Sequence, residues 1–246
     1  MQDVQESPAA GPTGTCPMEP VDASGLGERE EAPEAPYLSA RDLELETYAG
    51  FVYRNVDLDV FKGRVMAVRG RNGSGKSALL LTLAGRMKPT GGTLSVDGLE
   101  LPRERAKAER HVGLGLFKGL NDLPENLSAR SAAKAEFDLH GLSARDGAVE
   151  EHLCWWGLGD VVRVRVRDLT AEKLARLGIA LAFVGDPDAA VVDDVEDQLT
   201  LSQSRGLMEL LARAARERHA AVAVAVVERD LARMADSCAY LAKEGE

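Results

Sequence analysis

Eight residues near position 70 have the types and the spacing of a phosphate-binding loop. Residues 70–77 read Gly-Arg-Asn-Gly-Ser-Gly-Lys-Ser and fit the pattern Gly-x-x-x-x-Gly-Lys-Ser/Thr at every fixed position. The glycines at 73 and 75 leave the backbone free to curl, so that several amide groups point at an anion. Lys76 would reach the β- and γ-phosphates of a nucleotide, and the Ser77 hydroxyl would bind Mg²⁺. The predicted site residues are Gly70, Arg71, Asn72, Gly73, Ser74, Gly75, Lys76 and Ser77.

The segments on either side of this loop are the elements that such a loop needs. Residues 64–68 form an apolar run that predicts a buried strand. Residues 77–86 contain four leucines and predict a helix that ends near Gly85 and Pro89. A strand before the loop and a helix after it argue against a chance glycine turn, and the helix N-terminus adds positive dipole at the phosphates.

Beyond this loop, short apolar runs alternate with helical patterns from Tyr37 onward, as an α/β domain requires. Strands are predicted at residues 43–46, 55–61, 91–97, 189–192 and 220–227, and helices at 171–184 and 202–218. Residues 127–166 are predicted to be mostly helical with polar breaks. The sequence therefore predicts a nucleotide-binding core with a helical insertion.

Length and composition fit one domain with a substantial core, since the 246 residues are 45% hydrophobic and 28% charged. The longest apolar runs fall far short of the ~20 residues that a membrane-spanning helix needs. The first residues form neither a basic nor an apolar segment of an export signal, so we expect a cytoplasmic location. Cys16, Cys154 and Cys238 are far apart and form no CxxC pair, which argues against a disulfide framework and a zinc site.

Much of the net charge of −10 lies at the N-terminus. Residues 1–36 contain eight Asp or Glu, one Arg and six of the ten prolines, so they contribute −7 and leave −3 for the rest. This composition predicts a disordered acidic tail, with a docking motif around residues 27–31 as the alternative. The weak acidity of the remainder gives no support for a nucleic-acid partner.

Several further segments resemble the ATP-binding-cassette (ABC) ATPases. Residues 56–63 resemble the strand and turn before the family's P-loop, and residues 83–85 with 89–98 resemble the segment just after it. Smaller matches are Glu125-Asn126-Leu127, Gly185-Asp186-Pro187 before residues 189–193, and Ala235-Asp236. The resemblance implies a P-loop NTPase domain of the ABC type over residues 37–246. It would have an α/β, RecA-like core, a small antiparallel β subdomain and a helical subdomain at about residues 117–168.

The resemblance also implies roles for three residues outside the loop. Tyr48 lies near the position of the aromatic residue that stacks on adenine, although Tyr48 or Phe51 packing under the small sheet is an equal alternative. Asp193 follows a buried strand and matches the residue that orients Mg²⁺ through water. Asp194 stands where the family has a catalytic glutamate, and its shorter side chain predicts a weak general base and slow hydrolysis. Glu196 would replace it only after a loop rearrangement, because residues 196–197 are expected to form a solvated acidic loop.

Other family positions hold different residue types. Phe117 lies where the family has a glutamine, and no glutamine occurs between Gln5 and Gln198. No histidine follows residues 220–227, where the family has one, and Glu228 or Arg229 stands there instead. Thr200 replaces an aspartate of the family's helper loop.

The family's signature loop, Leu-Ser-Gly-Gly-Gln, crosses a dimer to the partner's nucleotide. Its counterpart here is Leu169, Thr170, Ala171, Glu172 and Lys173. The glycines that let amides approach a phosphate are missing, and Glu172 would direct a negative charge toward a triphosphate, partly offset by Lys173.

The resemblance implies an ATP-binding subunit of an ABC transporter complex that binds ATP and Mg²⁺ and hydrolyses ATP weakly. Its partners would be a transmembrane transporter subunit and a second nucleotide-binding subunit, which would hold it at the cytoplasmic membrane. The alternatives are a slow but active ATPase homodimer and an ATP-dependent sensor or scaffold without a membrane partner. A small-molecule kinase fits poorly, because it does not need the block at residues 89–98.

Overall fold

The computed structural model describes residues 34–144 and 147–242 of the chain. Its strands are β1 (Leu38–Thr47), β2 (Gly50–Val60), β3 (Val65–Gly70), β4 (Gly91–Val96), β5 (Leu99–Leu101), β6 (Val112–Leu114), β7 (Ala189–Val192), β8 (Ala221–Val226) and β9 (Ser237–Leu241). Its helices are α1 (Lys76–Leu83), α2 (Arg105–Ala108), α3 (Ala129–Leu139), α4 (Ala148–Trp155), α5 (Ala171–Ala182), α6 (Leu201–Arg218) and α7 (Arg229–Ala232), with a 3-10 turn at Val166–Asp168. The predicted tail, residues 1–36, lies almost entirely outside the described residues.

The strands form two sheets of different kinds. A four-stranded antiparallel sheet has the order β2-β1-β4-β5, and a five-stranded sheet has the order β6-β7-β8-β3-β9. Every neighbouring pair in the larger sheet is parallel. The predicted α/β class with a small antiparallel β part is therefore confirmed. Strand β3, which leads into the P-loop, lies between β8 and β9.

Alternate residues of the larger sheet face two separate cores. Val222, Val224 and Val226 of β8 pack in a core with α5, α6 and the helical part of the chain. The intervening Ala221, Ala223 and Ala225 pack with α1 and the antiparallel sheet. Because parallel strands are covered on both faces, they read as unbroken apolar runs, which explains why β8 was predictable from residues 220–227.

Capping side chains fix where three of the longer helices begin. Ser128 accepts a hydrogen bond from the backbone of Ser131 at the start of α3. Thr170 caps α5 in the same way. Thr200 and Gln203 form a capping box at α6. Such caps satisfy N–H groups that the first turn of a helix leaves without a partner.

The helical insertion contains less helix than the sequence predicts. Between residues 127 and 166 only α3 and α4 are helical in the described part. Residues 162–166 alternate valine with arginine, a period of two that does not suit a helix. Val162 and Val164 instead accept backbone hydrogen bonds from Arg130 and Ala129, so this segment runs along the start of α3.

The adjacent tryptophans Trp155 and Trp156 take different positions in the insertion. Trp156 is fully buried, with its ring centroid 5.0 Å from that of Phe183. Trp155 is partly buried, and the guanidinium groups of Arg213 and Arg218 lie 4.5 and 4.6 Å from its ring centroid. None of the helices in the described ranges is long and apolar enough to cross a membrane.

Candidate nucleotide-binding site

The predicted phosphate loop joins β3 to α1, and all eight of its residues lie together there. Gly73 and Gly75 have φ angles of 79° and 92°, in the left-handed region that favours glycine. A Cβ on Gly75 would lie 2.6 Å from the carbonyl oxygen of Val52 on β2. The loop therefore needs glycine at 75 both for its backbone conformation and for its contact with the antiparallel sheet.

Lys76 folds back across the loop at the first position of α1. Its Nζ donates to the carbonyl oxygens of Gly70 and Arg71, at 3.0 and 3.1 Å. An ammonium group has three protons, so this arrangement leaves donor capacity for a further acceptor. The cap residue Gly75 offers no side-chain acceptor, and the first turn of α1 contains no acidic residue. Its initial N–H groups and the lysine thus suit a bound anion such as a phosphate.

The Ser77 hydroxyl lies close to the Asp193 carboxylate, so that α1 meets the end of β7 here. Burial raises the pKa of Asp193, the polar interaction with Ser77 opposes this rise, and the negative charge of Asp194 adds to it. The described residues contain no cluster of three or more His, Cys, Asp or Glu that could hold a metal. A serine hydroxyl beside one carboxylate instead fits Mg²⁺, which is typically bound by one or two carboxylates together with phosphate oxygens.

Asp194 is exposed, and its backbone adopts a φ of 45°, in the left-handed region. Lys118 donates a hydrogen bond to Asp197, with an Nζ–Oδ2 distance of 3.0 Å, and this bond is the main cause of the raised pKa of Lys118. The negative charge of Asp194 raises the pKa of Lys118 further. Lys118 belongs to no motif, but it follows Phe117 directly in the sequence. The structure therefore places a cation in the neighbourhood of the acidic pair at the end of β7.

Glu196 does not lie in a solvated acidic loop, so that prediction is wrong for this residue. Its Oε2 accepts the N–H of Val227, and its Oε1 accepts the N–H of Glu228 at 3.0 Å. Both donors belong to the loop between β8 and α7. The carboxylate is partly buried because β7 and β8 are neighbouring strands, which brings the loops at their ends together.

Phe117 is buried in the core and does not replace a glutamine chemically. Asn121 shapes the loop around it, accepting the Phe117 N–H at 2.7 Å and donating to Gly115 O at 2.9 Å. After β8, Glu228 precedes the short helix α7 as its cap residue. His219 lies before β8, at the C-terminal end of α6.

The signature-loop counterpart begins α5, and its charged side chains have partners within the chain. Glu172 pairs with Arg176 at 3.0 Å and accepts a hydrogen bond from Gln203 at 3.2 Å. Lys173 pairs with Asp160 at 2.7 Å, so the group that offsets the charge of Glu172 is Arg176 and not Lys173. Gln203 belongs to the capping box that starts at Thr200, so the helper-loop and signature positions are connected.

Tyr48 lies at the tip of the hairpin between β1 and β2 and is fully exposed. The alternative that Tyr48 packs under the small sheet is therefore wrong. Phe51 is partly buried, and the guanidinium of Arg54 lies 5.5 Å from its ring centroid. Stacking of Tyr48 on a nucleotide base stays a prediction.

Known proteins share this sequence and this arrangement. The family model described as ABC transporter matches residues 53–196, more than half of the chain. The ABC transporter ATP-binding protein NatA of Bacillus subtilis is 27% identical over 166 residues, covering 67% of each protein. The phosphonates import ATP-binding protein PhnC of Hyphomonas neptunium is 32% identical over 199 residues, covering 76% of each. The chain spans only 37% and 9% of two longer relatives.

A solved structure supports the same fold. The dimeric bacterial ABC transporter cassette MJ0796 matches with a TM-score of 0.72 at 21% identity, over 83% of this chain and 94% of that chain. MJ0796 has also been solved in a post-hydrolysis state bound to ADP and Pi, with a TM-score of 0.72 at 22% identity over 84% and 96% of the two chains. The family match agrees with the fold, in which the P-loop joins β3 to α1 and the strands form two sheets. The chain belongs to the ABC transporter family.

Proposed function

We propose that this chain is the ATP-binding subunit of an ABC transporter complex, and that it binds Mg·ATP and hydrolyses it slowly. The observation that carries the proposal is the contact between two groups far apart in sequence, the Ser77 hydroxyl and the Asp193 carboxylate. This contact supports a Mg²⁺ site, because it brings two oxygen atoms together beside Lys76. NatA and PhnC, which the chain resembles over two thirds or more of its length, are ATP-binding proteins by name.

Each residue of the loop has a distinct part in this proposal. Lys76 binds the β- and γ-phosphates, and the amides at the start of α1 bind the remaining phosphate oxygens. Ser77 and Asp193 would hold Mg²⁺, which would supply positive charge to offset the negative charge of those oxygens. Tyr48, exposed at its hairpin tip, covers one face of the base.

Slow hydrolysis follows from the residues around Asp194. The aspartate carboxylate ends about 1.5 Å short of a glutamate's, and a misplacement of about 1 Å can lower a rate a hundredfold. Phe117 lies buried where the family has a glutamine, and the chain has no histidine after β8. Asp194 is thus the remaining candidate base, without the two side chains that assist it in relatives.

A second nucleotide-binding subunit fits the signature position, where Thr170 is exposed. Thr170 keeps a hydroxyl at the start of α5, although that hydroxyl accepts the Lys173 N–H at 3.3 Å. The internal pairing of Glu172 with Arg176 reduces the repulsion that its charge would exert on a partner's triphosphate. A better-equipped partner subunit would then perform most of the hydrolysis in the complex.

The membrane partner would bind a groove beside the loop that contains Phe117. This groove has a cavity of about 230 Å³, which lies between β6, α3 and α5. Its lining includes Leu114, Leu123 and Leu181, together with the charged Arg110 and Glu136. Leu120 and Leu139 are close in sequence to residues that line the groove. They are 60% and 80% exposed, which suits contact with another protein. Such a partner would hold the chain at the cytoplasmic side of the membrane.

Titration with a fluorescent ATP analogue, with and without Mg²⁺, tests the proposal directly. We expect saturable binding that Mg²⁺ strengthens and that Lys76→Ala weakens. Absence of saturable binding to the wild-type protein would remove the basis of the proposal. A brisk single-turnover rate in the isolated chain would favour the second candidate, an active ATPase homodimer.

A further inference from the structure

Glu196 connects two loops that lie beside each other at the carboxyl ends of β7 and β8. Its two carboxylate oxygens accept the N–H groups of Val227 and Glu228. The partners are 31 and 32 residues away in sequence, and they are adjacent because Val192 pairs with Val224 in the parallel sheet. Hydrogen bonds to a charged acceptor are stronger than those between neutral groups, so this is a firm connection.

The same short segment contains a backbone conformation that needs support. Asp194 has a φ of 45°, and a non-glycine residue in the left-handed region persists when its surroundings hold it there. On one side the Asp193 carboxylate interacts with the Ser77 hydroxyl on α1. On the other side Val195 is buried, and Glu196 follows immediately with its two bonds to the neighbouring loop. The left-handed turn is therefore held from both ends.

We propose that Glu196 is a positioning residue that holds Asp193 and Asp194 in place for Mg·ATP by fixing their loop to the loop after β8. We assign it no direct role on substrate, since each of its oxygens accepts a backbone amide of the neighbouring loop. The inference rests on the proposed nucleotide-binding function.

Two variants of Glu196 test the connection in the nucleotide-free protein. Glu196→Ala removes both acceptors, and Glu196→Gln keeps one carbonyl oxygen. We expect amide hydrogen exchange at Val227 and Glu228, followed by NMR, to rise about 10-fold or more in the alanine variant and less in the glutamine variant. Asp197→Asn is the matched control, because Asp197 pairs with Lys118 and not with these amides. Exchange at wild-type rates in Glu196→Ala would overturn the proposal.

Nucleotide titrations then separate positioning from a merely structural role. Because the loop of Glu196 contains Asp193, its loss should weaken ATP binding in the presence of Mg²⁺ by about 10-fold and leave binding in EDTA nearly unchanged. Glu196→Gln should recover part of the Mg²⁺-dependent affinity. If the alanine variant folds poorly, the glutamine variant still tests the positioning role. Faster amide exchange with an unchanged Mg²⁺ effect would overturn the positioning role. If the wild type bound no nucleotide at all, the proposed function would fail, whereas the amide exchange would still report the connection.

Discussion

The Ser77 hydroxyl lies beside the Asp193 carboxylate, where the first turn of α1 meets the end of β7. Asp193 lies in a partly buried position where its charge is unfavourable, and burial is the largest cause of its raised pKa. In the protein without nucleotide, this carboxylate is therefore a destabilising group that the interaction with Ser77 only partly compensates. Binding of a cation would relieve that cost, so we expect the proposed site to prefer metal-bound nucleotide.

Asp193→Asn should stabilise the nucleotide-free protein near neutral pH and weaken the Mg²⁺-dependent part of ATP binding. The folded-state pKa of the carboxyl is raised above its unfolded value, so the charge opposes folding at pH values above that raised pKa. The stability difference between variant and wild type should therefore shrink as the pH falls through the raised pKa and vanish below about 3.9, the unfolded value. Thermal melting across this range measures it, and Asp197→Asn is the control. A difference that grows toward acid pH would contradict the assignment.

Lys76→Ala should weaken ATP binding by about 10- to 100-fold, because hydrogen bonds to charged groups contribute ~1.5–3 kcal/mol. Its Nζ now bonds to the carbonyl oxygens of Gly70, which is buried, and Arg71, which is exposed, so the variant loses two hydrogen bonds within the loop. Isothermal titration with Mg·ATP gives the affinity. Lys88→Ala, at an exposed lysine outside the loop, should leave it unchanged. Equal affinities for wild type and Lys76→Ala would argue against the site.

Asp194→Glu should raise the single-turnover rate of ATP hydrolysis by up to about 100-fold, because it returns the carboxylate to the reach of a glutamate. The rate of the wild-type chain alone should lie well below ~10 s⁻¹, the median for enzymes. Rapid-quench measurements with excess protein isolate this step from product release. A brisk wild-type rate that the substitution leaves unaltered would show that the site is not impaired.

Gly75→Ala should be more damaging than Gly73→Ala, although both positions have left-handed backbone. The left-handed conformation costs about 1–2 kcal/mol for an ordinary residue at either position. At Gly75 the new Cβ would also lie 2.6 Å from the Val52 carbonyl oxygen, whereas the space around Gly73 is open. Urea denaturation and nucleotide titration of the two variants make the comparison. Equal losses would mean that the contact with β2 is unimportant.

Tyr53→Phe should lower the free energy of unfolding by about 1 kcal/mol, the usual net value of a hydrogen bond. The Tyr53 hydroxyl donates to Thr82 Oγ1 at 2.7 Å, and that hydroxyl donates to Ala78 O at 2.9 Å, so Thr82 keeps a partner in the variant. Burial raises the pKa of Tyr53 to about 12. The unfolded chain therefore ionises first, and this stabilisation should disappear as the pH rises above ~10. Tyr240→Phe, at an exposed tyrosine, is the control for urea denaturation.

The phosphate loop was predictable because its residues are consecutive and the strand and helix around it have strong patterns. Strand β9 was not predicted, since Ser237–Leu241 is an edge strand whose residues are mostly exposed and lack a clear apolar pattern. Strand β6 was also not predicted, because it has only three residues and one of them is Gly113. Short edge elements are formed by pairing with neighbours, and such pairing leaves little trace in the local sequence.

The partners of single charged residues were the least predictable part of the site. Glu172 was expected to direct its charge at a triphosphate, but Arg176 one turn later and Gln203 on α6 bind it. Glu196 was expected in solvent, but strand pairing brings the loop after β8 to it. Spacing predicts contacts along one helix, whereas contacts between elements depend on the packed fold.

Tyr48 projects from its hairpin tip with both faces of the ring open to solvent. A flat ligand could stack there without displacing any protein group, and the main cost would be the lost rotation of one side chain. Stacking depends on a π-face and not on the hydrogen-bonding edge, so this aromatic ring would accept guanine nearly as well as adenine. Any strict choice between purine nucleotides must then arise from a group other than Tyr48.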